Sequence, residues 1–242
     1  MTVLRIDGVA NIRDVGGMSA LGGRVRSGVL LRSGQLSTAT DAGARDLGQR
    51  VRRIVDLRDG EEIAAEPSEI DGPVTTHLPL FLGSVRSFFE TDTSLDELYR
   101  HLLEESGERL VEALRVIAGG DPTLVHCTVG KDRTGVTIAL ALDAVGADRE
   151  EIVADYALTE SQLPEERNRR IAAYIRSAHP ESTNAVALAT QSPGPVMEGL
   201  LAYIDDRWGS TRGFLRANGM TDAEISALHA ALVEPVDGTE PR

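Results

Sequence analysis

The residues best suited to chemistry lie together, in His126-Cys127-Thr128-Val129-Gly130-Lys131-Asp132-Arg133-Thr134-Gly135. This run holds the only cysteine of the chain, with an arginine six positions after it. A thiolate is a strong nucleophile, but a free thiol of pKa about 8.5 is only about 3% ionised at pH 7. It needs an anion-stabilising setting, and the flanking sequence predicts one. Thr123-Leu124-Val125 is a short, apolar, β-favouring run, and Val136 to Leu142 is apolar almost all round, as in a buried helix. A strand, a short loop and a helix N-terminus direct loop amides and the positive end of the helix dipole at one point. The dipole contributes at most about 2 kcal/mol, roughly 1.5 pKa units. Loop amides and the guanidinium of Arg133 are therefore expected to complete the activation of Cys127.

Arg133 offers a planar fork that can grip two oxygens of a tetrahedral phosphate, which a lysine cannot do. Thr128, Val129, Gly130, Lys131 and Thr134 are expected to line the phosphate site, with the Thr134 hydroxyl bonding the thiolate. Gly130 and Gly135 permit tight curvature and close helix packing. His126 is read as ordering the loop rather than transferring protons. Lys131 adds a second cation, which suits highly charged ligands or strengthens the local field. A nucleotide-binding Gly-Lys-Ser/Thr loop is excluded, because Asp132 follows Lys131 and Val125 stands where its first glycine belongs.

The surrounding elements read as one α/β domain with a parallel-rich sheet, helices on both faces and a helical C-terminal half. Strands are expected at Val29–Arg32 and Arg53–Leu57, and at Thr75–Leu80, where Pro79 suggests a strand end or edge. Thr40–Arg50 and about Leu95–Ala118 read as helices, the second with Leu110, Leu114 and Ile117 on one face. Between Leu80 and that helix lies a polar, aromatic-containing stretch, Phe81–Thr93. Asp148 with Glu151 and Thr221 with Glu224 are capping-box patterns. Ile225, Leu228 and Leu232 share a face of the last helix. Glu165–Ala178 is a polar helix carrying Arg167, Arg169 and Arg170, and Ser182–Pro195 reads as a loop. The domain is expected to span residues 1–233, with 234–242 a loose tail.

Composition narrows the partners. The chain has 242 residues, 41% hydrophobic and 26% charged, with a net charge of −13. Such acidity opposes binding to nucleic acid or to an anionic membrane surface. No apolar run is long enough for a membrane span, and no signal peptide is visible at the N-terminus. A single cysteine allows no internal disulfide and fits a reducing, cytoplasmic compartment. No metal or other cofactor is called for, and a monomer is expected.

The loop His126-Cys127-x5-Arg133-Thr134 resembles the signature of cysteine-dependent protein tyrosine phosphatases. Its form, with Gly130-Lys131-Asp132-Arg133-Thr134-Gly135, is similar to an atypical bacterial branch that includes tyrosine/phosphoinositide phosphatases. Asn11-Ile12-Arg13-Asp14, Leu31-Arg32-Ser33-Gly34, Val55-Asp56-Leu57-Arg58, Ile152–Tyr156 and Trp208–Thr221 resemble other segments of that branch, over about residues 9–233. The resemblance implies that Cys127 is the nucleophile and Arg133 the phosphate clamp. It implies a phosphocysteine intermediate hydrolysed by water without a metal. Its substrates would be phosphotyrosine, with phosphoserine/threonine or phosphoinositides as further ones. Such enzymes commonly keep an acid aspartate after an earlier strand, yet Leu80-Phe81-Leu82-Gly83-Ser84 has none. Asp132 is therefore the candidate acid and Asp92 a distant second. Asn11 and Arg13, with Asp14, are expected to support the loop, and Arg167, Arg169 and Arg170 either line a lid or form a solvated face. Sulfur transfer and non-catalytic phosphate binding are the competing readings.

Overall fold

The structure, a computed structural model, describes residues 1–80 and 92–235. Most of the stretch Phe81–Thr93 and nearly all of the expected tail lie outside them. The first half alternates strands and helices: β1 (Thr2–Val3), β2 (Arg13–Asp14), β3 (Ser19–Ala20), β4 (Gly23–Val25), β5 (Leu30–Ser33), α1 (Asp41–Arg50), β6 (Arg53–Asp56), α2 (Gly60–Ala65) and β7 (Val74–His77). Then come α3 (Leu95–Ala118), β8 (Thr123–His126), α4 (Asp132–Ala144), α5 (Arg149–Gln162), α6 (Glu165–Ala178), α7 (Ala185–Thr190), α8 (Gly194–Trp208), α9 (Thr211–Ala217), α10 (Asp222–Leu232) and β9 (Val233–Glu234).

The main sheet has the order β1-β2-β5-β8-β6-β7. The run β5-β8-β6-β7 is parallel, and β1 and β2 are added antiparallel at one edge. β7 is the other edge, as Pro79 suggested. β8 sits between β5 and β6, two strands that precede it in the chain. Its C-terminal end thus opens into a crevice of the kind where α/β sheets bind ligands.

Side-chain alternation builds a core on each face of this sheet. Leu30, Val55 and Val125 join the larger core, with α3, α4, α8 and α10. Leu31, Ile54 and Leu124 join a smaller one with Leu47 of α1. Leu110, Leu114 and Ile117 are fully buried, as their spacing predicted, and so are Val136, Leu140 and Leu142 of α4. A central helix so apolar fixes where its N-terminus, and hence the loop before it, must lie.

Three expectations are corrected. Ser182–Pro195 is not all loop, since α7 and the start of α8 fall within it. Ala185-Val186-Ala187-Leu188-Ala189 is rich in strong helix formers. The Asp148 pattern is half a capping box. Asp148 accepts from the amides of Glu150 and Glu151, but Glu151 turns to the Ser19 amide at 2.6 Å, tying α5 to β3. Glu234 is not in a tail: it pairs with Arg24 in a small second sheet, β3-β4-β9. Thr221 and Glu224 do form the full reciprocal cap. Among the described residues, no helix is long and apolar enough to cross a membrane.

Candidate active site

β8 ends at His126 and α4 begins at Asp132, so residues 127–131 form the connecting loop. Cys127 is buried at its start. The Gly130 amide donates to Cys127 Sγ at 3.3 Å. Gly130 has φ 73°, and a Cβ there would lie 2.2 Å from the Ser33 carbonyl oxygen, so a side chain is excluded on both counts.

The carbonyls of the loop are held from outside. The Gln35 amide donates to Thr128 O at 3.0 Å. Asn11 Nδ2 donates to Val129 O at 3.1 Å and to Gly130 O at 3.0 Å. Arg32 Nη2 donates to Gly130 O at 2.7 Å. In a planar trans peptide the N–H points opposite to the C=O. Fixing these carbonyls outward therefore turns the amides of Val129, Gly130 and Lys131 toward the concave side.

Behind Asn11 and Arg32 lies Asp155 of α5. Its carboxylate accepts from Arg13 Nε at 2.7 Å and from Arg32 Nη1 at 2.6 Å. Arg13 also donates to Thr159 Oγ1 at 2.9 Å and to the side-chain oxygen of Asn11. Burial, with the charge of Arg32, brings Arg13 down to about 10. Asp14 accepts from the amides of Gly16 (2.8 Å) and Gly28 (2.6 Å), so it braces a turn.

Arg133, in the first turn of α4, meets Glu62 of α2 in a two-pronged pair: Nη1 to Oε2 at 2.5 Å and Nη2 to Oε1 at 2.6 Å. Thr128 Oγ1 donates to the same carboxylate. Glu62 Oε2 also accepts from the Asp59 amide at 2.9 Å, closing the capping box that starts α2. Burial pushes the Glu62 carboxyl up. The hydrogen bonds and charge of Arg133, with Thr128, outweigh it and bring the group to about 2. Sequence reading did not find Glu62. Its signal was Asp59-x-x-Glu62, a capping-box spacing directly after Val55–Arg58.

His126 is buried, with Nδ1 3.3 Å from Cys127 O and Nε2 without a hydrogen-bond partner, 3.7 Å from Asp56 Oδ1. Burial lowers it to about 4 against the pull of Asp56, so it is neutral at pH 7. Asp56 is occupied by Arg58, through Nε at 3.0 Å and Nη2 at 2.7 Å.

Asp132 is one-fifth exposed, and a single oxygen, Oδ1, carries its contacts: Tyr99 OH at 2.8 Å and Lys131 Nζ at 3.0 Å. Tyr99 OH lies 2.7 Å from Tyr156 OH. Burial, then the Asp132 charge, push the Tyr99 phenol well above its ordinary value, so it stays protonated. Oδ2 has no hydrogen-bond partner among the described residues.

Other expectations change. Lys131 is buried, and its ammonium donates to Leu188 O (2.8 Å) and Gln191 O (2.9 Å) and forms an ion pair with Asp132 Oδ1 at 3.0 Å. It fastens the end of α7 to the loop. The Thr134 hydroxyl is buried without a hydrogen bond among the described residues, and the sulfur receives one from Gly130 instead. The Asp92 carboxylate is occupied elsewhere: it accepts from Ser182 Oγ (2.5 Å) and the amides of Thr183 (3.1 Å) and Asn184 (2.8 Å), clamping the turn before α7. Arg169 pairs with Glu165 and Glu166 on a solvated face. Arg167 is half-buried, donates to Asn168 Oδ1 at 2.8 Å and feels the Asp132 charge. With Arg170, Ile171, Ala173 and Tyr174 it lines an open cleft of about 620 Å³.

The sequence profile of the tyrosine phosphatase family matches residues 4–234. The chain belongs to the tyrosine phosphatase family. It is 28% identical over 280 residues to the triple specificity protein phosphatase PtpB of Mycobacterium tuberculosis, covering 96% of this chain and 100% of that one. A Cupriavidus necator relative is 30% identical over 235 residues, 88% of this chain and 82% of that one. The solved structure of P. aeruginosa TpbA covers 70% of this chain at 20% identity, with a TM-score of 0.34. The family match and these relatives make the chain a phosphatase, and its own sheet and helices make the fold mixed α/β.

Proposed function

We propose that this phosphatase hydrolyses phosphotyrosine, and further phosphomonoesters including phosphoinositides, through Cys127. The thiolate attacks phosphorus in line. The phosphorus–oxygen bond to the leaving group breaks, and that oxygen takes a proton from Asp132. Water then loses a proton to the Asp132 carboxylate, attacks phosphorus and releases the thiolate and inorganic phosphate. Glu62 holds one side of the Arg133 guanidinium, which leaves Nε for one phosphate oxygen, and Nη2 exchanges its long 3.4 Å bond to Thr128 Oγ1 for a second. The Tyr99 and Lys131 contacts fix Oδ1 of Asp132, which leaves Oδ2 to carry the transferred proton.

The observation that carries this reading is the Gly130 amide on Cys127 Sγ, in a loop whose adjoining carbonyls are pinned outward. It is a cradle for a trigonal-bipyramidal phosphoryl group. The named specificity of PtpB supports a site tolerant of several phosphomonoesters. A lone cysteine that works only when reduced fits action in a reducing compartment such as the cytoplasm.

Cys127→Ser is expected to reduce turnover of an aryl phosphate to background while vanadate still binds. Turnover near the wild-type rate would refute the nucleophile. Asp132→Asn is expected to slow substrates with poor leaving groups far more than those with good ones. An equal effect on both would remove Asp132 as the proton donor.

A further inference from the structure

We propose that Asp155, on α5 and outside the phosphate loop, is a positioning residue that sets the direction of the loop amides through Arg32 and Asn11. The proposal rests on the phosphatase reading of Cys127. The chain of contacts is continuous. Asp155 Oδ2 accepts from Arg32 Nη1 (2.6 Å), whose Nη2 donates to Gly130 O (2.7 Å). Asp155 Oδ1 accepts from Arg13 Nε (2.7 Å), Arg13 Nη1 donates to the Asn11 side-chain oxygen, and Asn11 Nδ2 donates to Val129 O and Gly130 O. Two arms leave one carboxylate and converge on one carbonyl.

That convergence has a directional consequence. Val129 O belongs to the same peptide unit as the Gly130 amide, which points at Cys127 Sγ. Gly130 O belongs to the same unit as the Lys131 amide. A glycine at φ 73° has no side chain to resist rotation of these units, so the external bonds supply the restraint. Asn11 is itself at φ 58°, an unusual backbone for a non-glycine residue, and the carboxamide is aimed from there.

Stability alone does not account for the arrangement. Arg13, Arg32 and Asp155 are all at most 1% exposed. Such buried charge triads often stabilise a fold no better than apolar residues of the same volume, because desolvation cancels the attraction. What an apolar cluster could not do is hold a carbonyl in place. Thr159 Oγ1 and the Asp155 carbonyl take the other Arg13 Nη2 contacts, so the arms have little freedom to re-pair.

The test is Asp155→Asn, read by alkylation of the lone cysteine with iodoacetamide across pH, beside turnover and thermal unfolding. Alkylation reports the thiolate without any substrate, so its outcome is separable from failure of the phosphatase reading. With its anchor weakened the Gly130 amide leaves the sulfur, and the alkylation midpoint is expected to rise by about one pH unit. The fall in kcat/KM for an aryl phosphate is expected to be about 10–100-fold. A downward midpoint would show that Asp155 acts by its negative charge alone, and an unchanged midpoint with unchanged kcat/KM would show a purely structural role. Either result overturns the proposal. If Asp155→Asn does not fold, Arg32→Lys tests the same arm, since it keeps the charge and loses the two-pronged reach. An unchanged midpoint in Arg32→Lys would likewise overturn it.

Discussion

The phosphate loop is bounded by two regions built on opposite principles. Its floor, on the strand side, is a set of buried charges with one neutral imidazole: Arg13, Arg32, Asp56, Arg58 and Asp155, with His126, are all at most 1% exposed. Its cover, the hairpin α6–α7, buries only Ala172, Ile175, Ala185 and Leu188 among its side chains. The cover is tied to the loop by polar bonds from Lys131, and its turn is held by Asp92. A buried ionic network of several charges has few alternative pairings, whereas the hairpin depends on two carbonyl bonds from one ammonium and on a solvent-facing turn. The floor is therefore the part with the denser polar network, and the hairpin α6–α7 is the part held by fewer bonds and a smaller apolar contact.

The sharpest way to break that contrast is at Glu62, which acts as floor for Arg133. Glu62→Gln keeps the shape and halves the charge-assisted pairing of the guanidinium. The expected loss is about 100-fold in kcat/KM for an aryl phosphate, as a clamp displaced by about 1 Å would give. The cost in stability is expected to be smaller, about 1 kcal/mol, because the Glu62 side chain is about one-quarter exposed. Since folding lowers this carboxyl from 4.5 to about 2, its contribution is present above pH 4.5. It is lost as pH falls toward 2. Full activity in Glu62→Gln would mean that the fork needs no external anchor.

A second expected effect concerns His126. Folding lowers it from 6.5 to about 4, so between those values the unfolded chain binds a proton that the native state refuses. Stability is expected to be unaffected by this group above pH 6.5 and to decline as pH falls through that window. The limit is about 3 kcal/mol. Chemical denaturation from pH 7 to 4 measures the slope, and His126→Asn is expected to flatten it. An unaltered slope would show that His126 accepts its proton without leaving its buried place.

Where sequence reading succeeded and failed follows the same division. The ends of α3 and the position of β8 were legible because the apolar period and the Gly119-Gly120-Asp121-Pro122 stop agree locally. The phosphate loop was legible because Cys127, Gly130 and Arg133 are close in the chain. Glu62, Asp155 and Tyr99 were not, because each acts from a separate element through a partner 33 or more residues away in the chain. Lys131 misled for a different reason. Its type and place suit an anion, yet only the fold shows that α7 brings two carbonyls to its ammonium. Residue type gives the chemistry available to a side chain, and tertiary neighbours decide which partner takes it.

The smallest expected effect, and the one that sharpens the contrast most, is at Lys131. Lys131→Met keeps the apolar stem and removes the ammonium, so the Leu188 and Gln191 carbonyls lose their donor and the cover loses its tie. One hydrogen bond of this kind is worth about 1–1.5 kcal/mol, which corresponds to about tenfold faster amide exchange in residues 185–191. Turnover is expected to fall by about threefold, because Asp132 Oδ1 loses one of its two partners. That factor is expected to be the same for an aryl phosphate and for a phosphoinositide, since the buried ammonium is already held by two carbonyls and the Asp132 carboxylate. A selective loss on the phosphoinositide, with exchange in 185–191 unchanged, would show that the ammonium leaves α7 for the substrate. Lys131 would then belong to the phosphate site, and the cover would be held by Asp92 and its apolar side chains without it.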